Sequence, residues 1–312
     1  MKNKTIYIAG HNGLVGSSIY KKASQLNFKE IFTFRRSELD LTNQNDVYNC
    51  LKTIKPDFVI IAAAKVGGIN ANNNFPADFI YENLMIQNNI IHSAYHAKVE
   101  KLLFLGSSCI YPKFAPQPIK ETELLNGYLE KTNEAYAIAK IAGIKMCEYY
   151  RKQYGCNFIS AMPTNIYGPG DNFNDLNSHV VPALINRIHK SKINKKDVVT
   201  VWGSGKPLRE FLFVEDLAEA CLFILKKYND KDTINIGSGE EISIKNLTRI
   251  LCKLINYNGE IIFDSTKPDG TKRKSLDISK IIKLGWKPNF SLKDGLSKTY
   301  KWYLQNLSSL RE

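Results

Sequence analysis

The stretch TIYIAGHNGLVGSSI, residues 5–19, decides how the chain folds. A short apolar run, Thr5–Ala9, leads into glycines at 10, 13 and 16, and a helical pattern opens at Leu14. Strand, glycine-spaced turn and helix in that order form the first βα junction of a dinucleotide-binding sheet. Gly10 allows the tight turn, Gly13 lets a pyrophosphate approach the backbone, and Gly16 lets helix and strand pack closely. The helix N-terminus then offers unpaired N–H groups to a diphosphate.

Working outward, apolar runs alternate with helical patterns. Strands are predicted at Thr5–Ala9, Ile31–Phe34, Asp57–Ala63, Lys101–Gly106 and Asn157–Met162. Helices fall between them at Leu14–Leu26, Gln44–Ile54, Pro76–His96 and Thr132–Tyr154. Short, nearly continuous apolar strands between helices mean βαβ units and a parallel sheet covered on both faces. After about residue 166 the pattern loosens: helix Val214–Tyr228, strand Thr233–Ile236, helix Ile244–Ile255, strand Glu260–Asp264 and helix Leu292–Leu304. The expectation is an α/β protein: a Rossmann-type doubly wound sheet over residues 1–165, and a smaller α/β lobe over 166–312 with some segments returning to the sheet.

At 312 residues and 44% hydrophobic, the chain can bury a large core. No apolar run approaches the ~20 residues that span a bilayer, and a strand pattern begins at Thr5, so a cytoplasmic protein with no membrane partner is expected. The six cysteines (50, 109, 147, 156, 221, 252) show no CxxC pair and no metal-ligand spacing. The net charge of +13 comes from lysines spread along the chain, not from a basic helix or nucleic-acid module, so no nucleic-acid partner is expected. A positive field still favours an anionic small ligand.

The chemistry lies in Ser107-Ser108-Cys109 and Tyr136-Ala-Ile-Ala-Lys140. A tyrosine and a lysine four apart share one helix face. The ammonium stabilises the phenolate and pulls the phenol below its usual value of about 10, and a serine can hold the same carbonyl oxygen. Together they suit reduction of a ketone or oxidation of an alcohol. Phe34-Arg35-Arg36 stands where an acidic residue would take a ribose 2′-hydroxyl. Arginine there suits a 2′-phosphate, with Arg36 the stronger candidate, so NADPH/NADP is the expected cofactor and Asp40 the adenine neighbour.

The glycine turn, the serine and the YxxxK resemble the extended short-chain dehydrogenase/reductases. The stretches AAAKVGGINANN (62–73), LGSSCIYP (105–112), NEAYAIAKIAGIK (133–145), PTNIYGPGDNF (163–173), SHVVPAL (178–184), VWGSGKPLREFL (201–212) and KPDGTKRK (267–274) narrow this to the GDP-L-fucose synthase family, over nearly the whole chain. The resemblance implies a 3,5-epimerase/4-reductase of a GDP-4-keto sugar, and a homodimer to which Pro76–His96 and Thr132–Tyr154 contribute helices. It implies Tyr136 as the acid at the C4 oxygen, Lys140 as its support, Ser107 as the keto-oxygen ligand, and Cys109 with His179 as the C3/C5 proton-exchange pair. Cys and His both titrate close enough to neutrality for such exchange. The implied cofactor set is Gly10, Asn12, Gly13, Leu14, Val15, Gly16, Arg36, Asp40, Leu41, Ala63, Leu105, Gly106, Lys140, Pro163, Asn165, Ile166 and His179. The implied substrate set is Ser108, Asn165, Arg187, Trp202, Arg209, Asp269 and Lys283, with Trp202 equally readable as core.

Three positions depart from the family pattern: Asn12 for arginine, Ala135 for proline and Phe213 for histidine. A related sugar fits such departures, so a C4-reductase of a GDP-heptose with little epimerase activity stands as the alternative reading.

Overall fold

A computed structural model describes residues 1–174, 178–267 and 269–310. Pro268 of the 267–274 stretch lies outside the described residues. The first part of the chain runs β1 (Thr5–Ala9), α1 (Leu14–Ala23), β2 (Glu30–Phe32), α2 (Gln44–Ile54), β3 (Phe58–Ile61), α3 (Ile69–Asn74), α4 (Pro76–His96), β4 (Lys101–Leu105), α5 (Glu134–Tyr154) and β5 (Phe158–Pro163). The rest runs β6 (Asn165–Tyr167), α6 (Val180–Ile193), β7 (Val198–Trp202), β8 (Leu208–Phe213), α7 (Val214–Lys227), β9 (Ile234–Ile236), β10 (Glu241–Ser243), α8 (Ile244–Ile255), β11 (Glu260–Asp264), β12 (Arg273–Lys274), α9 (Ser279–Lys283) and α10 (Leu292–Gln305).

The central sheet is parallel throughout, in the order β2-β1-β3-β4-β5-β9. Helices α1 and α7 pack together, as do α2, α4 and α5, so the apolar strands are covered on both sides. Every residue of β4 and β5 is buried. The chain leaves β1 toward β2 on one side and returns to β3 on the other. The crevice above the carboxyl ends of β1 and β3 is therefore the switch point where ligands of such sheets bind.

The second strand is shorter than its sequence pattern, ending at Phe32, because Arg35 N turns to donate to Glu38 Oε2. Helix α5 starts at Glu134, after a 3-10 turn at Lys131–Asn133. Residues beyond 166 hold more structure than expected, including α6 and the strands β6, β7 and β8. A second apolar cluster forms there around Tyr167, Phe173, Leu184, Phe211, Phe213 and Leu247. Phe213, a departure from the family pattern, packs on Tyr167 and Phe290 at ring-centroid distances of 5.7 and 4.9 Å. Strand β9 returns to the edge of the central sheet beside β5.

Two buried charges bind these parts. Lys101, at the base of β4, donates to the carbonyls of Ile224 and Tyr228 at the C-terminal end of α7, where a cation meets the negative end of the helix. Burial lowers its pKa to about 8. Glu210 on β8 is 0% exposed, and its carboxylate accepts from Gly239 N and Leu276 N, both at 2.8 Å. Burial raises its pKa, and these backbone bonds oppose the rise.

Asp171, buried after β6, is less well satisfied. Its Oδ1 accepts from Asn172 N at 2.8 Å, while Oδ2 has no partner among the described residues. Burial raises its pKa from 3.8 to about 7. The folded state thus holds a proton that the unfolded chain releases near pH 4, so this contribution to stability is full below that range and lost as pH climbs through 7. Asp171→Asn, neutral throughout, is expected to gain on the wild type by roughly 1–3 kcal/mol between pH 5 and pH 8. Calorimetric melting at both pH values checks this; a difference independent of pH would refute it.

Candidate active site

The glycine turn sits at the switch point. Gly10 has φ +88°, and a Cβ there would lie 2.6 Å from Ala63 N on the neighbouring chain segment after β3. A Cβ on Gly16 would come within 2.1 Å of Gly10 O. Gly13 differs: its Cβ would meet only Gly10 O, at an ordinary 3.5 Å. This chain alone does not demand glycine at 13, so the open space there fits the close approach of a phosphate. Gly13 caps α1 without any side-chain hydrogen bond, which leaves N–H groups of the first turn, near Leu14 and Val15, directed at that space. Arg36 is exposed. Asp40 has part of its carboxylate committed, since its Oδ1 accepts from Thr42 N and Thr42 Oγ1 at 2.9 and 2.8 Å. Those bonds, then Arg36 nearby, lower its pKa. Leu41 O accepts from buried Asn89.

The residues expected to handle a ketone gather beyond β4. Ser107 follows the strand and accepts from Cys109 N at 3.4 Å, opening a 3-10 turn over Ser108–Ile110. Tyr136, in the first turn of α5, lies near Ser107, which tempers the rise of its pKa, and senses Cys109. Lys140, one turn on and 3% exposed, donates to Leu105 O at 2.9 Å, with its Nζ 5.9 Å from the Tyr136 ring centroid. Thus Ser107, Cys109, Tyr136 and Lys140 form one cluster.

Two features of that cluster differ from the sequence expectation. Burial, followed by Cys109, raises the Tyr136 phenol above its usual value. Burial lowers Lys140 to about 8. The unliganded site thus keeps the phenol protonated, the form required of an acid. His179 stands just before α6 as its N-cap residue and has no hydrogen bond to this cluster among the described residues. It is exposed, yet enough protein surrounds it to lower its pKa by desolvation.

The remaining candidates separate into groups. Trp202 is 52% exposed, which excludes the core reading, and the Arg187 guanidinium lies 5.5 Å from its ring centroid. Arg187 also donates to Thr200 O at 3.0 Å. Asp269 accepts from Ser204 N and Ser204 Oγ at 2.6 and 2.7 Å, and these bonds lower its pKa. Arg209, whose pKa burial lowers, donates to Leu208 O at 2.8 Å. Arg187 on α6, Trp202 on β7, Arg209 on β8 and Asp269 in the loop before β12 therefore sit on linked elements around the second cluster. Lys283 does not join them: it is exposed on α9, against β9, with Asp277 its neighbouring charge. Ser108 is buried, at 3% exposed. Asn165 donates to Glu210 O at 2.8 Å, beside buried Pro163 and half-buried Ile166. Gly106 is buried at the end of β4.

Sequence reasoning passed over several supporting residues. Asn83 on α4 accepts from Lys65 N and donates to Lys65 O. Gln87 donates to Ala139 O in α5, between Tyr136 and Lys140. Phe79 meets the Tyr136 ring edge-on at 6.3 Å. Lys274 lines a cavity with Cys109. The signal for the first two was a pair of polar residues, four apart, on the apolar face of a helix.

Comparison with known proteins agrees with this architecture. Residues 6–237 match the NAD dependent epimerase/dehydratase family. GDP-L-fucose synthase 1 of Arabidopsis thaliana is 57% identical, covering 98% of this chain and 95% of its own. GDP-L-fucose synthase of Escherichia coli (strain K12) is 49% identical, covering 100% of both. Among solved structures, a GDP-mannoheptose C4 reductase from Campylobacter jejuni with NADP bound superposes with a TM-score of 0.89 at 38% identity, covering 97% of this chain and 99% of its own. With its parallel sheet, its open glycine turn and relatives matched over almost their full length, the chain belongs to the NAD dependent epimerase/dehydratase family, and within it to the GDP-L-fucose synthases.

Proposed function

We propose that the chain is an NADPH-dependent oxidoreductase that reduces the C4 ketone of a GDP-4-keto-6-deoxy sugar, after inverting C3 and C5, to give GDP-L-fucose. The observation that carries the reading is the Ser107–Tyr136–Lys140 cluster at the carboxyl end of β4, in a chain aligned end to end with GDP-L-fucose synthases. Bound NADPH supplies the hydride. Residues 1–165 hold it: the Gly13 turn and α1 take the diphosphate, Arg36 the 2′-phosphate, and Lys140 the nicotinamide ribose. Residues 166–312 mainly hold the GDP-sugar, with Arg187 and Arg209 gripping phosphates beside the exposed Trp202 face.

Ser107 and Tyr136 hold the C4 oxygen, which makes the protons at C3 and C5 acidic by stabilising the enolate. Cys109 removes such a proton and His179 returns one on the opposite face. Tyr136, kept neutral by burial, then donates its proton as the C4 alkoxide forms, and the nearby Lys140 ammonium stabilises the phenolate left behind. Membership of the family and the described helices, none of which is long and apolar enough to cross a membrane, support a cytoplasmic enzyme. The paired helices α4 and α5, with exposed Tyr81, Ile138 and Tyr149, support a homodimer.

A second reading is a C4-reductase of a related GDP-4-keto sugar such as a GDP-heptose. The likeness to the Campylobacter jejuni GDP-mannoheptose C4 reductase favours it. Deuterium uptake separates the two. Incubated with the keto sugar in deuterated water without NADPH, the wild type is expected to label C3 and C5, and Cys109→Ser to lose that labelling while still reducing a pre-epimerised sugar. Reduction without any labelling by the wild type would overturn the bifunctional reading.

Two further outcomes follow from the same assignments. Tyr136→Phe should cut NADPH oxidation by ~100-fold or more, the loss of a positioned acid, with NADPH binding by fluorescence retained. Arg36→Glu should weaken NADPH by about tenfold or more relative to NADH, the scale of a charged hydrogen bond; unchanged cofactor preference in steady-state kinetics would remove Arg36 from the site.

A further inference from the structure

We propose that Lys274 is a positioning residue that holds Cys109 as a thiolate and so sets the rate of proton removal at C3 and C5. This deepens the epimerase reading above and rests on it for its catalytic meaning. Strand β12 has only two residues, and both are fixed by β8: Arg273 pairs with Leu208 and Lys274 with Arg209. Both residues border a cavity that Cys109, Tyr111, Lys113 and Glu130 also line. The Arg273 guanidinium is already paired, its Nε donating to Glu241 Oε1 at 2.7 Å, which leaves Lys274 as the cation of the strand available to Cys109.

The charges facing Cys109 come from several elements, and most are already committed. From α5, Lys140 donates to Leu105 O, and Tyr136 is neutral. Beyond the 3-10 turn, Lys113 pairs with Glu130 at 3.0 Å. From β8, Arg209 donates to Leu208 O. Lys274 has no hydrogen bond or ion pair among the described residues, and a half-buried ammonium without a partner is unfavourable. Its strongest favourable electrostatic neighbour is Cys109, ahead of Glu130, while Arg209 repels it. A thiolate opposite resolves that cost, and a cation beside a cysteine favours the thiolate.

In the step so served, the Cys109 thiolate takes a proton from C3 or C5 and becomes a thiol. The C–H electron pair moves into the enolate, whose charge rests on the C4 oxygen at Ser107 and Tyr136. His179 delivers a proton to the opposite face, and the enolate returns to the ketone. No electron is gained or lost overall.

The test needs no sugar. Iodoacetamide alkylation of Cys109 in the unliganded enzyme is followed by peptide mass spectrometry from pH 6 to pH 9, with half-buried Cys50 and Cys156 as internal references for loosened structure. Lys274→Met should slow Cys109 alkylation at pH 7 about tenfold, the effect of one unit in thiolate titration, and Lys274→Arg should restore most of the rate. Wild-type rates in Lys274→Met, or an arginine variant as slow as the methionine one, would overturn the proposal. Deuterium uptake at C3 and C5 should fall in parallel. If Cys109→Ser exchanged deuterium at the wild-type rate, the epimerase reading would fail, whereas the alkylation result would still decide whether Lys274 controls Cys109.

Discussion

A buried ammonium at the end of a central strand organises this molecule. Lys140 comes from the middle of the sequence of α5, yet its charge is held against the Leu105 carbonyl, at the point where β4 leaves the sheet. A cation taken out of water needs compensation from fixed dipoles, and the last carbonyls of a parallel strand supply it. That single bond ties helix to strand, and the residues flanking it inherit their places. Ser107 is two residues beyond the acceptor. Tyr136 is one helical turn before the donor, and Cys109 sits inside the turn that Ser107 opens. The same burial that makes the lysine easier to deprotonate makes the phenol harder to ionise. Burial thus keeps the phenol neutral, while Lys140, lowered only to about 8, stays mainly a cation near pH 7, an electrostatic arrangement set before any substrate arrives.

The second cluster of the molecule follows another rule. Its charged residues are not paired with one another so much as with backbone. Glu210 is met by amides from two separate segments, Arg209 and Arg187 donate to strand carbonyls, and Asp269 is saturated by Ser204. Such bonding leaves cationic surface available to an anion without leaving the groups unsatisfied. The half-buried Lys274, whose ammonium has no hydrogen bond or ion pair among the described residues, is the exception.

Much of the architecture was legible because its signals are local. Helices α2 and α4 begin and end where the pattern placed them: Asn43 caps one with its side chain, and Pro76 opens the other. The strands of the central sheet announce themselves as apolar runs. What was missed depends on distant partners. Strand β12 is two residues of a basic run and exists only through β8. Strand β7 alternates exposed and buried residues over five positions and is stabilised by β11. Residue chemistry fared likewise. Tyr136 and Lys140 were readable from spacing, but the upward displacement of the phenol was not, because burial is a property of the assembled core. Lys283 was implied only by the resemblance, and its place on α9 is set by the packing of that helix on β9.

Strand β9 carries a consequence for how the chain can be divided. Its three residues begin 71 positions beyond the end of β5 and pair with Ala161, Met162 and Pro163. Every residue of β5 is buried. A fragment ending near residue 165 would therefore expose an apolar sheet edge with unpaired amides and carbonyls, a template for strand-to-strand aggregation. Residues 1–165 cannot be lifted out as an independent module, and an exchange of the later residues between relatives would have to carry the closing strand across with the sheet it seals.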